Sequence, residues 1–103
     1  MIKLSDYVFQ FLQEKGVQYA FMLPGGGAMH LDDSIGRSGI QYICTLHEQA
    51  AAVAAEAYAQ HTNRIGVCLT TSGPGATNLV TGIATAYMDS VPMVAITCNV
   101  GTP

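Results

Sequence analysis

Tyr42-Ile43-Cys44-Thr45-Leu46-His47-Glu48-Gln49-Ala50-Ala51-Ala52 passes without a break from an apolar, strand-forming triplet into an alanine-rich segment, with a carboxylate at the joint. The residues before Leu46 suit a buried strand and those after Glu48 suit a helix packed closely on a sheet, so the stretch reads as one β-to-α step. Only 11% of the chain is charged, which makes an acid at that joint conspicuous. Half-burial there would raise the carboxyl pKa, and such a group can exchange a proton with a ligand. From Glu48 alone the plainer reading is the stronger one, because the helix dipole favours an acid in any first turn.

Outward from that step the pattern repeats. Leu4, Val8, Phe9 and Leu12 fall at helical spacing between Ser5 and Gly16, predicting a helix from about Asp6 to Lys15. A strand over Tyr19 to Leu23 then runs into Pro24-Gly25-Gly26-Gly27, and a short helix follows around Met29 to Ile35. The second strand covers Ile40 to Thr45 and the long helix Glu48 to Gln60. Ile65 to Thr70 makes a third strand, broken by Ser72-Gly73-Pro74-Gly75. A helix over Thr77 to Ser90 and a strand over Val94 to Thr97 complete the series. Apolar strands alternating with helices predict a doubly wound parallel sheet with helices on both faces, a three-layer α/β/α domain.

Bulk composition narrows the function. At 103 residues, 50% of them hydrophobic, the chain is one domain or less. With a net charge of -3 and four basic residues, it has no electrostatic footprint for nucleic acid or an anionic membrane. Cys44, Cys68 and Cys98 show neither disulfide nor zinc spacing. As small buried hydrophobes in apolar runs they fit a reducing, cytoplasmic compartment. No segment resembles a targeting peptide or approaches the roughly 20 apolar residues of a membrane span.

Ligands of open α/β sheets bind beyond the carboxyl ends of the strands, which singles out the loops beginning at Pro24, Leu46 and Thr71. Pro24 and Gly25 leave bare backbone to approach a flat ligand, or merely turn the chain. The loop Thr71-Ser72-Gly73-Pro74-Gly75-Ala76-Thr77-Asn78 precedes a helix. It lacks both the lysine of a Walker loop and the order of a dinucleotide fingerprint, and Thr77 and Asn78 could simply cap. His30, His47 and His61 share no metal spacing and read as surface or packing residues, and Met22, Met29, Met88 and Met93 as filler.

Taken in order, Leu23-Pro24-Gly25-Gly26, then Leu46-His47-Glu48-Gln49-Ala50-Ala51, then Thr71 to Asn78 closely resemble the pyrimidine-binding domain of thiamine-diphosphate enzymes of the acetolactate synthase and pyruvate oxidase group. Ala54-Ala55-Glu56-Ala57-Tyr58-Ala59 and Thr81-Gly82 extend the match over nearly the whole chain. The resemblance implies that Glu48 bonds N1′ of the cofactor aminopyrimidine and exchanges a proton with it, which leads to the species that attacks a 2-oxo acid. It implies that Pro24 and Gly25 line the pyrimidine pocket, with Thr71, Pro74 and Asn78 packed near the ring. The activity implied is decarboxylation of a 2-oxo acid, with transfer or release of the resulting acyl-anion equivalent. Thiamine diphosphate and Mg2+ are implied, and whether FAD is also bound is left open.

The family holds diphosphate and Mg2+ with a Gly-Asp-Gly motif on another domain, and this chain has none. The implied centre therefore forms against the pyrophosphate-binding domain of another subunit, in a homodimer or homotetramer, and the 103 residues alone are expected to be inactive. Family members continue past the strand near Val100, so the expectation is the N-terminal part of a longer protein without its central and pyrophosphate-binding domains. Leu23 replaces the tyrosine usual in acetolactate synthases, and Cys98-Asn99-Val100 replaces Gly-Gln-Val. Pro24 to Leu31 looks more like the acetolactate synthase-like proteins of sugar biosynthesis. The alternatives are a non-catalytic α/β module whose glycine loops bind a partner, with Glu48 as a cap, and a phosphate-binding domain, which would lack a nearby cation because Arg64 falls at the opposite edge.

Overall fold

The computed structural model describes residues 1–103. The chain runs α1 (Leu4–Glu14), β1 (Tyr19–Met22), a 3-10 turn (Gly26–Ala28), α2 (Met29–Arg37), β2 (Gln41–Cys44) and α3 (Glu48–Thr62). It continues through β3 (Gly66–Leu69), α4 (Pro74–Thr77), α5 (Val80–Met88) and β4 (Met93–Ile96). The four strands form one parallel sheet in the order β2-β1-β3-β4.

Each face of the sheet is closed by its own pair of helices, which gives three layers. Phe9 and Leu12 of α1 and Ile35 of α2 pack on Ala20 and Met22 of β1 and Val67 and Leu69 of β3. The alternate residues of the same strands, Phe21 and Cys68, face Ala51, Ala52 and Ala55 of α3 together with Leu79. Full burial of a side chain such as Phe9 or Leu69 contributes about 1.5–3 kcal/mol. The doubly wound α/β expectation holds, with one local exception. β1 and β3 are sandwiched on both faces, whereas every residue of the edge strand β2 is exposed, so Cys44 is not the buried hydrophobe its apolar run suggests.

Small residues on α3 bring it close to its neighbours. A Cβ on Gly66 would run into the Ala55 carbonyl oxygen, and one on Gly82 into the Ala52 side chain. The buried Glu56 carboxylate then ties α3 to α5 by accepting a hydrogen bond from Thr85 Oγ1 at 2.7 Å.

Three element boundaries differ from the sequence reading, each for a tertiary reason. α1 begins at Leu4, because Ser5 faces inward as the acceptor of a 2.7 Å hydrogen bond from Ser34 and does not cap. α3 runs on to Thr62 and ends where Asn63 turns left-handed at φ 58°. The single helix read over Thr77 to Ser90 is two, interrupted at Asn78 and Leu79, with Leu79 wholly buried.

This topology has one switch point. The chain leaves β1 for β2 on one side, and α3 carries it back across to β3 on the other. The loops after β1 and β3 therefore start from adjacent strand ends and run to opposite faces of the sheet, the position at which doubly wound sheets bind ligands.

Candidate functional site

β1 and β3 pair Phe21 with Cys68 and Met22 with Leu69, and Leu23 N–H donates to the Leu69 carbonyl at 3.2 Å. That register delivers Pro24–Gly27 and Thr71 to the same place. The Thr71 side chain fills the gap between the two loops. A Cβ on Gly25 would lie 2.7 Å from the Thr71 Cβ, and one on Gly27 2.7 Å from its Oγ1. On its other side Thr71 meets Gly75, where a Cβ would stand 2.9 Å from Cγ2. Three glycines thus converge on one threonine, and each is required by the close approach.

Glu48 enters from the end of α3. His47 caps that helix, its Nδ1 accepting the Gln49 N–H at 3.0 Å, while the Thr45 hydroxyl donates to the His47 carbonyl at 2.8 Å. The Glu48 side chain turns toward the third loop, where Oε2 accepts from Asn78 Nδ2 at 3.1 Å. Oε1 points toward Gly75, 3.7 Å from where a Cβ would be. This bond explains the break between α4 and α5. The Asn78 side chain is used across 30 residues of sequence, while its backbone ends α4, the N–H donating to the Pro74 carbonyl at 3.0 Å, the same carbonyl that accepts the Thr77 hydroxyl.

The electrostatics of Glu48 correct the sequence-based expectation. Its own backbone N–H in the first helical turn, then the Asn78 amide, hold the carboxyl below its usual value of 4.5, against a smaller opposing effect of burial. The side chain is half-exposed and lines none of the surface cavities, so the desolvation expected to raise its pKa is largely missing. Glu48 is an ionised acceptor on an open face.

Of the residues singled out in the sequence, the fold brings together Glu48, Asn78, Thr71 and Gly25. Pro24 and Pro74 flank them as exposed rim residues, Pro74 opening α4. Arg64 lines a depression with Lys15, Gly16 and Gln18, at the amino ends of the strands and away from Gly73-Pro74-Gly75, which removes the cation a phosphate loop would need. No three His, Cys, Asp or Glu side chains converge to hold a metal ion.

The family model described as thiamine pyrophosphate enzyme, N-terminal TPP binding domain, matches residues 2–103. The chain belongs to that family. It is 46% identical over 99 residues to the acetolactate synthase isozyme 2 large subunit of Escherichia coli (strain K12), covering 96% of this chain and 18% of that one. It is 54% identical over 93 residues to the acetolactate synthase of Arthrospira platensis, covering 86% and 16%. With the probable acetolactate synthase large subunit of Methanocaldococcus jannaschii it shares 48% over 101 residues, covering 98% and 17%. This TPP-binding domain therefore spans less than a fifth of the length of these relatives.

Two contacts beside Glu48 and Gly25 are not legible in the sequence. His47 is exposed, as a surface histidine would be, and its capping role is hidden because histidine is not among the residues that announce a helix cap. Asp32 lies in the first turn of α2 and accepts the Gly25 N–H at 3.2 Å. Its neighbour Asp33 is spent on exposed ion pairs with Lys3 and Arg37, and nothing in the sequence tells the two acids apart.

Proposed function

We propose that this chain is the cofactor-activating part of a thiamine-diphosphate-dependent enzyme resembling acetolactate synthase, which decarboxylates a 2-oxo acid and transfers or releases the acyl fragment. The observation that carries the reading is the Glu48–Asn78 hydrogen bond at the switch point of the sheet, which holds an ionised carboxylate beside the Gly73-Pro74-Gly75 loop.

The residues present fit the aminopyrimidine half of that cofactor. Gly25, Gly27 and Gly75 carry no side chain that could cover the switch point, and Thr71 fixes the spacing of the loops. Glu48 supplies an anionic acceptor, the chemistry needed to hold a proton at a ring nitrogen such as N1′. Asn78 restrains one carboxylate oxygen and leaves the other free to take that hydrogen bond. Pro24 and Pro74 border the ring as apolar rims. Bound here, thiamine diphosphate supplies the electron sink for decarboxylation.

The diphosphate and Mg2+ belong, in this reading, to a pyrophosphate-binding domain of another subunit in a homodimer or homotetramer. The open face at Glu48 supports such a covering partner, because Leu46, two residues before it, is fully exposed at 101%. Water excluded by that domain would raise the Glu48 pKa toward the range where it can give as well as take a proton.

The test is Glu48→Gln in the assembled enzyme that contains this domain, assayed with a 2-oxo acid, thiamine diphosphate and Mg2+. Turnover is expected to fall about 100-fold or more, the scale of a lost proton-transfer group. Undiminished turnover would favour the non-catalytic module, in which Glu48 is only a helix-end residue.

A further inference from the structure

We propose that Asp32 is a positioning residue of the cofactor site, holding the Gly25 amide and thereby the Pro24–Gly27 loop in its seat on Thr71. The inference rests on the function proposed above for the meaning of the site, and on the fold alone for the contact.

Gly25 is gripped at both of its backbone groups. Its N–H donates to Asp32 Oδ2 at 3.2 Å, and its carbonyl accepts the Ala28 N–H at 2.9 Å, closing the 3-10 turn that leads into α2. Its α-carbon lies against Thr71, with no room even for a methyl group. Thr71 in turn meets Gly75, and Gly75 lies beside Glu48 Oε1. A line of contacts therefore runs from Asp32 through Gly25, Thr71 and Gly75 to Glu48. Were Gly25 to lift away, Thr71 would lose one of its walls and the loops their spacing.

The carboxylate is held at a disadvantage. Asp32 Oδ1 is sealed from solvent without a hydrogen-bond partner, and Lys3 and Arg37, the cations nearest α2 in the fold, are engaged by Asp33 and Asp6. The other titratable group facing Asp32 is Cys98, which brings no positive charge. Burial raises the Asp32 pKa, and the Gly25 amide is the contact that opposes it. An acid so placed gains nothing from ion pairing, so the bond to Gly25 is what its presence accounts for.

The experiment compares Asp32→Asn, which keeps an acceptor oxygen for the Gly25 N–H, with Asp32→Leu, which removes it, in the assembled enzyme. Asp32→Leu is expected to weaken thiamine diphosphate binding, measured calorimetrically with Mg2+ and without turnover, by roughly 3- to 10-fold, the worth of one ordinary hydrogen bond. kcat at saturating cofactor falls by less than the affinity does, since Glu48 and its Asn78 partner stand at the far end of that line of contacts. Hydrogen exchange at the Gly25 amide accelerates in Asp32→Leu and stays slow in Asp32→Asn. Unchanged cofactor affinity and Gly25 exchange in a folded Asp32→Leu would overturn the proposal. So would an Asp32→Asn as impaired as Asp32→Leu. Should Asp32→Leu fail to fold, Asp32→Ser carries the same comparison, and failure of both would assign Asp32 to stability alone. The exchange readout does not depend on catalysis: full turnover in Glu48→Gln would end the functional reading, whereas slow Gly25 exchange in Asp32→Leu would end only this one.

Discussion

Glu48 and Asp32, the carboxyls that meet the third and first glycine loops, are shifted in opposite directions, and the signs separate them. The Glu48 carboxyl is lowered by its own amide and by Asn78, so the folded state favours the ionised form. Its contribution to stability is present above the unfolded value near 4.5 and is lost as pH falls through the lower folded value. Asn78→Ala removes the second largest of the three lowering causes, the smallest being the charge of His47, and the Glu48 titration, followed by carboxyl NMR, is expected to move up toward 4.5. An unmoved titration would mean that Asn78 contributes nothing to the shift. Asp32 behaves in reverse. Its carboxyl is raised by burial, so its folded form is favoured below the ordinary 3.8 and that advantage disappears as pH rises through the folded value. Asp32→Asn should therefore gain in Tm relative to the parent as pH goes from acid to neutral. A Tm difference independent of pH would show that Asp32 carries no such penalty. Sequence singles out Glu48, since it begins a helix after a strand. It could not give the direction of the shift, which depends on how open the face is and on an asparagine 30 residues away.

At the scale of elements, what was legible was whatever depends on local pattern. The four strands, the helices between them and Gly16, which ends α1 with φ 86°, follow from apolar spacing and punctuation. The gap between α4 and α5 was not legible, because the Asn78 side chain is used on Glu48. Nor was the exposure of β2, whose Tyr42-Ile43-Cys44 matches a buried strand in composition and lies at the edge of the sheet. The alanines of α3 have a use that composition alone does not state: they let the helix approach β3 and α5 at Gly66 and Gly82. Gly66→Ala sets a methyl against the Ala55 carbonyl oxygen, and Gly82→Ala sets one against Ala52. Rigid backbone lies on one side of each contact, so each substitution is expected to destabilise by about 1–3 kcal/mol, as overpacking does. Urea unfolding measures it, and a change below about 0.5 kcal/mol, the range of ordinary surface substitutions, would mean that α3 can shift without loss.

The whole molecule presents more apolar surface than a chain with few charges readily keeps in water. Val80, Ile83 and Tyr87 follow one another at i, i+3 and i+7, a single stripe of α5, and all three are exposed, Tyr87 at 84%. The buried side of the same helix is made of Gly82 and Ala86, so its larger side chains lie on the outside. The net charge of -3 offers little repulsion to keep copies apart. Contiguous apolar surface of this kind marks a face that meets protein. The chain is therefore expected to associate as its concentration rises, with a sedimentation coefficient that climbs on concentration. Ile83→Glu together with Tyr87→Glu should return it toward the monomer without loss of helix content, since both side chains point away from α3. A parent chain that sediments as a compact monomer throughout would mean that the stripe is tolerated by water and meets nothing. Association that survives the double substitution would move the contact elsewhere, to Leu46 beside the site or to the bare edge of β2.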